Sequence, residues 1–224
     1  MPAPLPLDFF HAVLAPRCLG CRRSLPSGSH AYCFSCLRVF LGAPSPTGAL
    51  FSHGGPVKGF LHALRGSAPP RSAVLALALL KRKRHLARWQ GAGIELVMHA
   101  PQNQRRQWSG LALIAKAVAE ELGALFVPRA FRKQNARSQH GRSLTSRMDS
   151  PCFVELARPE AWVRGRHVLV LDDVNTTGTT LDLCAFVLRR AGAARVSTFA
   201  LAQRMATFSA ESEAFQNKIE GIDQ

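Results

Sequence analysis

Val168-Leu169-Val170-Leu171 is an apolar β-run that ends in two adjacent acids, Asp172 and Asp173. Asn175, Thr176, Thr177, Gly178, Thr179 and Thr180 follow, and a helical pattern begins at Leu181. A strand that feeds a helix start through small residues makes an anion cradle. The loop amides converge, and the helix dipole favours negative charge there. The paired carboxylates cannot hold that anion. They suit sugar hydroxyls, a metal ion or both beside it. Phosphate on one side and a vicinal diol on the other describes a ribose 5-phosphate. A polar turn with a Thr helix cap is the plainer reading, but a cap needs neither two acids nor four threonines. The loop has no Gly-Lys-Ser/Thr, which sets aside a Walker A phosphate loop.

A second constellation lies near the start of the chain. Cys18-Leu19-Gly20-Cys21 and Cys33-Phe34-Ser35-Cys36 are two CxxC knuckles separated by eleven residues. Four thiolates from two tight turns make the closed tetrahedral set that zinc prefers. Arg22, Arg23 and Arg38 lie beside it in sequence and would offset its negative charge. Disulfides and iron–sulfur ligation compete with this reading. Disulfides need an oxidising compartment. Met1–Ala15 is apolar but lacks the basic start and cleavage site of a secretory signal, so the cytoplasm is the expected location. A structural Zn2+ held by Cys18, Cys21, Cys33 and Cys36 is the expectation. Cys152 and Cys184 read as small core residues.

The 224 residues carry 29 Lys and Arg against 14 Asp and Glu, a net charge of +15. Between Phe9 and Ile94 there is no acid, and the twelve basic residues there include the run Lys81, Arg82, Lys83, Arg84. Such one-sided charge attracts a polyanion, of which nucleic acid is the commonest; single-stranded DNA is the expected partner. The competing reading is a solvated basic helix face. Tyr32, Phe34, Trp89 and Trp108 lie near basic stretches and offer stacking surfaces, although such residues usually pack. No apolar run reaches the ~18 residues that would span a membrane, so no membrane insertion is expected.

The hydrophobic pattern alternates strand and helix. Ile94–His99, Leu125–Phe131, Cys152–Leu156, His167–Leu171 and Arg195–Ala202 have β character. Ser109–Leu122, with Leu111, Ile114, Ala115, Val118 and Ala119 on one face, is the clearest helix, and Gly123 stops it. Ser72–Trp89 reads as one helix that is apolar first and basic after. Val57–Arg65 is a short amphipathic piece. Gly42–Pro56 reads as a linker, and Lys133–Ser150 as a mobile loop. The alternation predicts an α/β fold with a mostly parallel, doubly wound sheet. The expected organisation is a zinc module over 1–45, a linker and basic helical segment over 46–90, a core over 91–205 and a polar acidic tail over 206–224.

The segment from Val168 to Leu181 resembles the phosphoribosyl-diphosphate (PRPP) signature of type I phosphoribosyltransferases. The resemblance implies that Asp172 and Asp173 contact the ribose hydroxyls. It also implies that Thr176, Thr177, Gly178, Thr179 and Thr180 wrap the 5′-phosphate. The order of four-Cys knuckle, basic helical segment and phosphoribosyltransferase core resembles the ComF family, phosphoribosyltransferase-like proteins linked to natural competence and DNA uptake. Arg106-Gln107-Trp108-Ser109-Gly110 looks like that family's Arg-Gly-Phe-Asn-Gln segment. Gln107, Ser109 and Gly110 depart from it, and the preceding loop is short.

By this resemblance, Arg105 and Arg106 are candidates to bind pyrophosphate, and Gln139 is the matched position in the mobile loop. Mg2+ would accompany PRPP, and competence machinery proteins would be partners. The reaction implied is displacement at ribose C1 with loss of pyrophosphate. The alternative is a non-catalytic single-stranded-DNA-binding module that keeps a vestigial or regulatory nucleotide site. A purely structural zinc adaptor would need neither the acid pair nor the hydroxyl loop.

Overall fold

The computed structural model describes residues 16–26, 31–42, 45, 48–67, 69–102, 109–134, 153–176 and 178–204. Five parallel strands form one sheet in the order β1–β7–β6–β2–β3. These are β1 (Phe51–Ser52), β2 (Leu96–His99), β3 (Leu125–Phe126), β6 (His167–Asn175) and β7 (Arg195–Gln203). A separate antiparallel pair joins β4 (Phe131–Gln134) to β5 (Phe153–Leu156). The helices are α1 (Phe34–Leu41), α2 (Gly55–His62), α3 (Pro69–Arg82), α4 (His85–Gly91), α5 (Gly110–Leu122) and α6 (Thr179–Arg190).

The apolar run of β6 is buried on both faces, as a central parallel strand must be. Alternate residues serve opposite layers. Leu169 and Leu171 pack with Leu79 and Leu80 of α3 and with Leu111, Ile114 and Val118 of α5. Val168 and Val170 pack with Leu181, Cys184 and Leu188 of α6. Helix α5 starts where expected: the Ser109 hydroxyl accepts from the Ala112 amide at 3.1 Å. Gly123, at φ 65°, ends it.

Chain order reverses between β2 and β6. One crossover runs outward through α5 to β3 and the other through α6 to β7. The crevice outside the carboxyl ends of the strands at such a reversal is the usual ligand site of an open α/β sheet. Asp172 and Asp173 sit at that end of β6, beyond Leu171, which pairs with His99 of β2.

Three expectations are corrected. The linker read over Gly42–Pro56 contains β1, which pairs with Ala202 and Gln203 of the last strand and buries Leu50 and Phe51. The single helix over Ser72–Trp89 is two helices, broken at Arg84, whose φ of 60° is left-handed. Here His85 and Trp89 turn onto Phe199, at ring-centroid distances of 4.8 and 5.0 Å. The strand expected over Leu125–Phe131 is two short ones, separated by Pro128 and a left-handed Arg129.

The cysteine-bearing segment is packed on the sheet rather than tethered to it. Tyr32, Phe40, Phe51 and Phe60 form an aromatic cluster with centroids 5.2 to 6.4 Å apart. Tyr32 also shares a 3.0 Å hydrogen bond with the Ser72 hydroxyl of α3. Helix α2 meets the first knuckle at Gly59. A Cβ there would lie 1.9 Å from the Gly20 carbonyl oxygen, so only glycine permits the contact. After His62 the chain winds into a single π-helical stretch, Ala63–Ser67, which carries Arg65 toward the crevice.

Candidate functional site

The turn after β6 is tied at both ends. The Gly178 amide donates to Asn175 Oδ1 at 2.6 Å, and the Asp182 amide donates to the Gly178 carbonyl at 3.0 Å. Gly178 has φ 87°, which side-chain-bearing residues rarely adopt, and a Cβ there would press within 2.9 Å of the Asp182 carboxylate. Thr176 and Thr179 are exposed and Thr180 is half-buried. Thr179 opens α6. The turn therefore presents hydroxyls at a helix start, the geometry that suits an anion. Thr177 lies outside the described residues.

The two acids differ sharply. Asp172 is half-buried, and its own Oδ1 accepts from the Asp173 amide at 2.8 Å. Burial, then the charge of Asp173, raises its pKa from 3.8 to about 7; the Asp173 amide and Arg65 oppose the rise. Asp173 is 6% exposed. Both its oxygens are engaged by Arg65: Nε donates at 2.5 Å and Nη2 at 2.8 Å. The bond to Asp173 in turn raises the pKa of Arg65. Arg65 is the member of this cluster that sequence reasoning missed. It stands 108 positions from its partner, and nothing in its local pattern marks it.

Among the described residues, basic side chains flank the acids on the β7 side. His53 donates its amide to the Gln203 carbonyl at 2.8 Å, and Arg204 donates its amide to the Asn175 carbonyl at 2.9 Å. His53 has a lowered pKa, first through burial and then through the nearby charges of Lys58, Arg204 and Arg65. On the opposite side, His99 ends β2 with Nδ1 at 2.9 Å from the Ala100 carbonyl, and burial lowers its pKa.

The four cysteines converge as their spacing predicts. The sulfurs of Cys18, Cys21, Cys33 and Cys36 all lie within 4.8 Å of one another, a set that can hold a metal ion such as zinc. The Cys33 amide donates to Cys18 Sγ at 3.2 Å. Burial works to raise the Cys18 pKa, but hydrogen bonds from the backbone at Cys21, Cys33 and Gly20 and from the Cys36 thiol outweigh it and lower the value to about 6. Cys36 moves upward, through burial and through giving its proton to that cluster. Four sulfurs this close fit the donor set of a metal ion.

Residues 110–219 match the family model described as a phosphoribosyl transferase domain. Over 203 residues the chain is 29% identical to the DNA utilization protein YhgH of Escherichia coli, spanning 86% of this chain and 85% of that protein. Along most of its length the chain is similar to these DNA utilization proteins, in line with its resemblance to the ComF family of phosphoribosyltransferase-like proteins. A Salmonella typhi protein of the same description is 28% identical over 204 residues, with 86% and 85% covered. Among solved structures, a purine phosphoribosyltransferase from Pyrococcus horikoshii aligns with a TM-score of 0.42 at 13% identity, covering 62% of this chain and 77% of that one.

The remaining candidates divide. The basic run is not one surface. Lys81 pairs with Glu121 of α5. Lys83 donates to the Leu50 carbonyl at 2.9 Å and lies 5.4 Å over the Phe51 ring, where burial lowers its pKa. Arg82 and Arg84 stay exposed, as does Arg88. Tyr32 is buried and Trp89 is packed, so neither offers a free ring face; Phe34, 76% exposed, does. Arg105, Arg106, Trp108 and Gln139 lie outside the described residues. No helix among the described residues is long and apolar enough to cross a membrane.

Proposed function

We propose that the crevice at the carboxyl ends of β2 and β6 binds a ribose 5-phosphate group, as carried by PRPP, in a protein that serves DNA uptake. Thr176, Thr177, Gly178, Thr179 and Thr180 would surround the phosphate. Asp172 would accept from the pentose hydroxyls when ionised, with Asp173 behind it. The observation that carries this reading is the left-handed Gly178 turn, held by Asn175, that joins the acid pair to the start of α6. DNA utilization is the role that the name of the Escherichia coli relative gives it. It comes to this chain as a proposal, supported by exposed Arg82, Arg84 and Arg88.

Cys18, Cys21, Cys33 and Cys36 would hold a structural Zn2+ that fixes the two knuckles against α2. The family also implies Mg2+ beside the pentose. The acid pair does not fit that ion as it stands. Both Asp173 oxygens already accept from Arg65, and burial beside Asp173 favours the neutral form of Asp172. Mg2+ demands an ordered shell of oxygens. No step is therefore assigned to it.

The engaged state of Asp173 favours a second reading, in which the site binds without turnover and serves as a sensor beside a DNA-holding surface. Phosphorus NMR of ribose 5-phosphate titrated with protein tests binding, and a pyrophosphate-release assay with PRPP across free bases tests turnover. Line broadening without release supports the sensor; release supports the transferase. An unperturbed phosphorus signal refutes the site.

A further inference from the structure

We infer that Arg65 is the resident counter-cation of the acid pair, standing where a divalent ion would otherwise be needed, so that this site takes a pentose phosphate without metal. The inference rests on the pentose-phosphate reading above and deepens it.

The geometry is that of a built pair. The guanidinium fork meets Asp173 through two hydrogen bonds, Nε to Oδ2 and Nη2 to Oδ1. Parallel bonds of this kind fix both partners and are stronger than a single point contact. Asp173 is nearly buried, with its side chain 9% exposed, so its charge must be compensated locally. The Arg65 side chain is 48% exposed and bridges that buried carboxylate to solvent.

The backbone prepares this reach. Arg65 sits in the π-helical stretch Ala63–Ser67 that extends α2, and π-turns widen a helix locally. Leu64, next to it, is buried against Gly110 at the start of α5, where a Cβ would come within 2.4 Å of the Leu64 carbonyl oxygen. The turn that presents Arg65 is thus wedged and has little freedom to withdraw.

The surroundings argue the same way. His53 registers the charges of Lys58, Arg204 and Arg65 together, so a positive rim flanks the acids. A divalent ion entering beside Asp173 would meet these cations and would have to displace the fork. A sugar phosphate brings negative charge, which those cations favour. Its 5′-phosphate gains from the same cations that repel a metal ion.

The test uses full-length, zinc-loaded protein in metal-scavenged buffer, with two probes. Ribose 5-phosphate, which brings no pyrophosphate to chelate a metal, is titrated by calorimetry with and without added Mg2+. Mn2+ alone is titrated by electron paramagnetic resonance into wild type, Arg65→Gln, Arg65→Lys and the double variant Arg65→Gln/Asp173→Asn. Wild type should bind ribose 5-phosphate equally well with and without Mg2+, within about twofold, and should bind Mn2+ poorly. Arg65→Gln uncovers two adjacent carboxylates and should bind Mn2+ on the order of tenfold more tightly. Arg65→Lys keeps a cation and should gain far less, and the double variant should lose the gain. Binding of ribose 5-phosphate only when Mg2+ is present, or Mn2+ affinity unchanged in Arg65→Gln, overturns the inference. If ribose 5-phosphate binds under neither condition, the pentose-phosphate reading fails while the Mn2+ comparison still decides the role of Arg65. If Arg65→Gln does not fold, the wild-type Mg2+ comparison decides alone.

Discussion

Arg65 and Asp173 stand 108 positions apart in sequence and share two hydrogen bonds, of 2.5 and 2.8 Å. The contact joins the N-terminal half, which supplies the cation, to the β6 terminus, which supplies the acid. The two partners do not carry equal risk. Losing Arg65 strands a nearly buried carboxylate, whereas losing the Asp173 charge leaves a half-exposed guanidinium that water can solvate. Arg65→Ala should cost about 2–3 kcal/mol, somewhat below the range for a wholly buried pair. Asp173→Asn should cost about 1 kcal/mol or less, and the double variant should cost less than the sum. Urea unfolding of the four proteins measures this. Equal and additive losses would show that the pair is not coupled.

Asp172 makes stability depend on pH in an unusual direction. Its folded pKa, about 7, exceeds the ordinary value of 3.8, so the native state holds a proton that the unfolded chain has released. That stabilisation is complete below about pH 4 and is lost as pH rises through about 7. Buried His99 and His85, with lowered values, act the opposite way at low pH. The informative quantity is therefore the difference between wild type and Asp172→Asn. The variant should gain relative stability from pH 5 toward pH 8 in thermal or urea melts; parallel curves would count against the raised value.

Much of this site was legible in the sequence. The apolar run Val168–Leu171, the acids at its end and the threonine turn are contiguous, so a local pattern reports them. Helix α5 was equally plain, because Ser109, its apolar face and Gly123 mark start, packing and stop. The four cysteines were legible because two CxxC turns at a set spacing bring four sulfurs together. What failed was whatever tertiary packing decides. Strand β1 has two residues, too few for any period, and exists because β7 offers an edge. The break at Arg84 falls within a basic run with no glycine or asparagine to signal φ 60°; it exists because His85 and Trp89 find Phe199. The role of Arg65 depends on a partner from the far half of the chain.

The knuckle and α2 are coupled through Gly59. A side chain there would collide with the carbonyl oxygens of Gly20 and Leu19, at 1.9 and 2.6 Å from its Cβ. Gly59→Val should lower stability by about 1–3 kcal/mol. It should also speed zinc loss to a chromogenic chelator. A variant that melts like wild type and keeps its zinc as long would separate the two segments.

The basic run should divide by role. Neutralising Arg82 and Arg84 together, both exposed, should weaken single-stranded DNA binding and reduce the magnitude of its salt slope by about 1–2. Lys83→Gln loses the Leu50 hydrogen bond and the Phe51 ring contact and should chiefly lower the melting temperature. Fluorescence anisotropy across a salt series reads the first effect and calorimetric melting the second. Equal effects of the two variants on DNA affinity would refute the division.

The central claim is that the Gly178 turn and Asp172 together receive a pentose 5-phosphate. Calorimetric titration of ribose 5-phosphate at pH 8, where Asp172 is mostly ionised, reads it most directly. Wild type should give a saturable, stoichiometric heat. Asp172→Ala should bind on the order of tenfold more weakly, and Gly178→Val, which cannot hold φ 87° without strain, should give none. A featureless titration of the wild-type protein, or undiminished binding by both variants, would contradict the account.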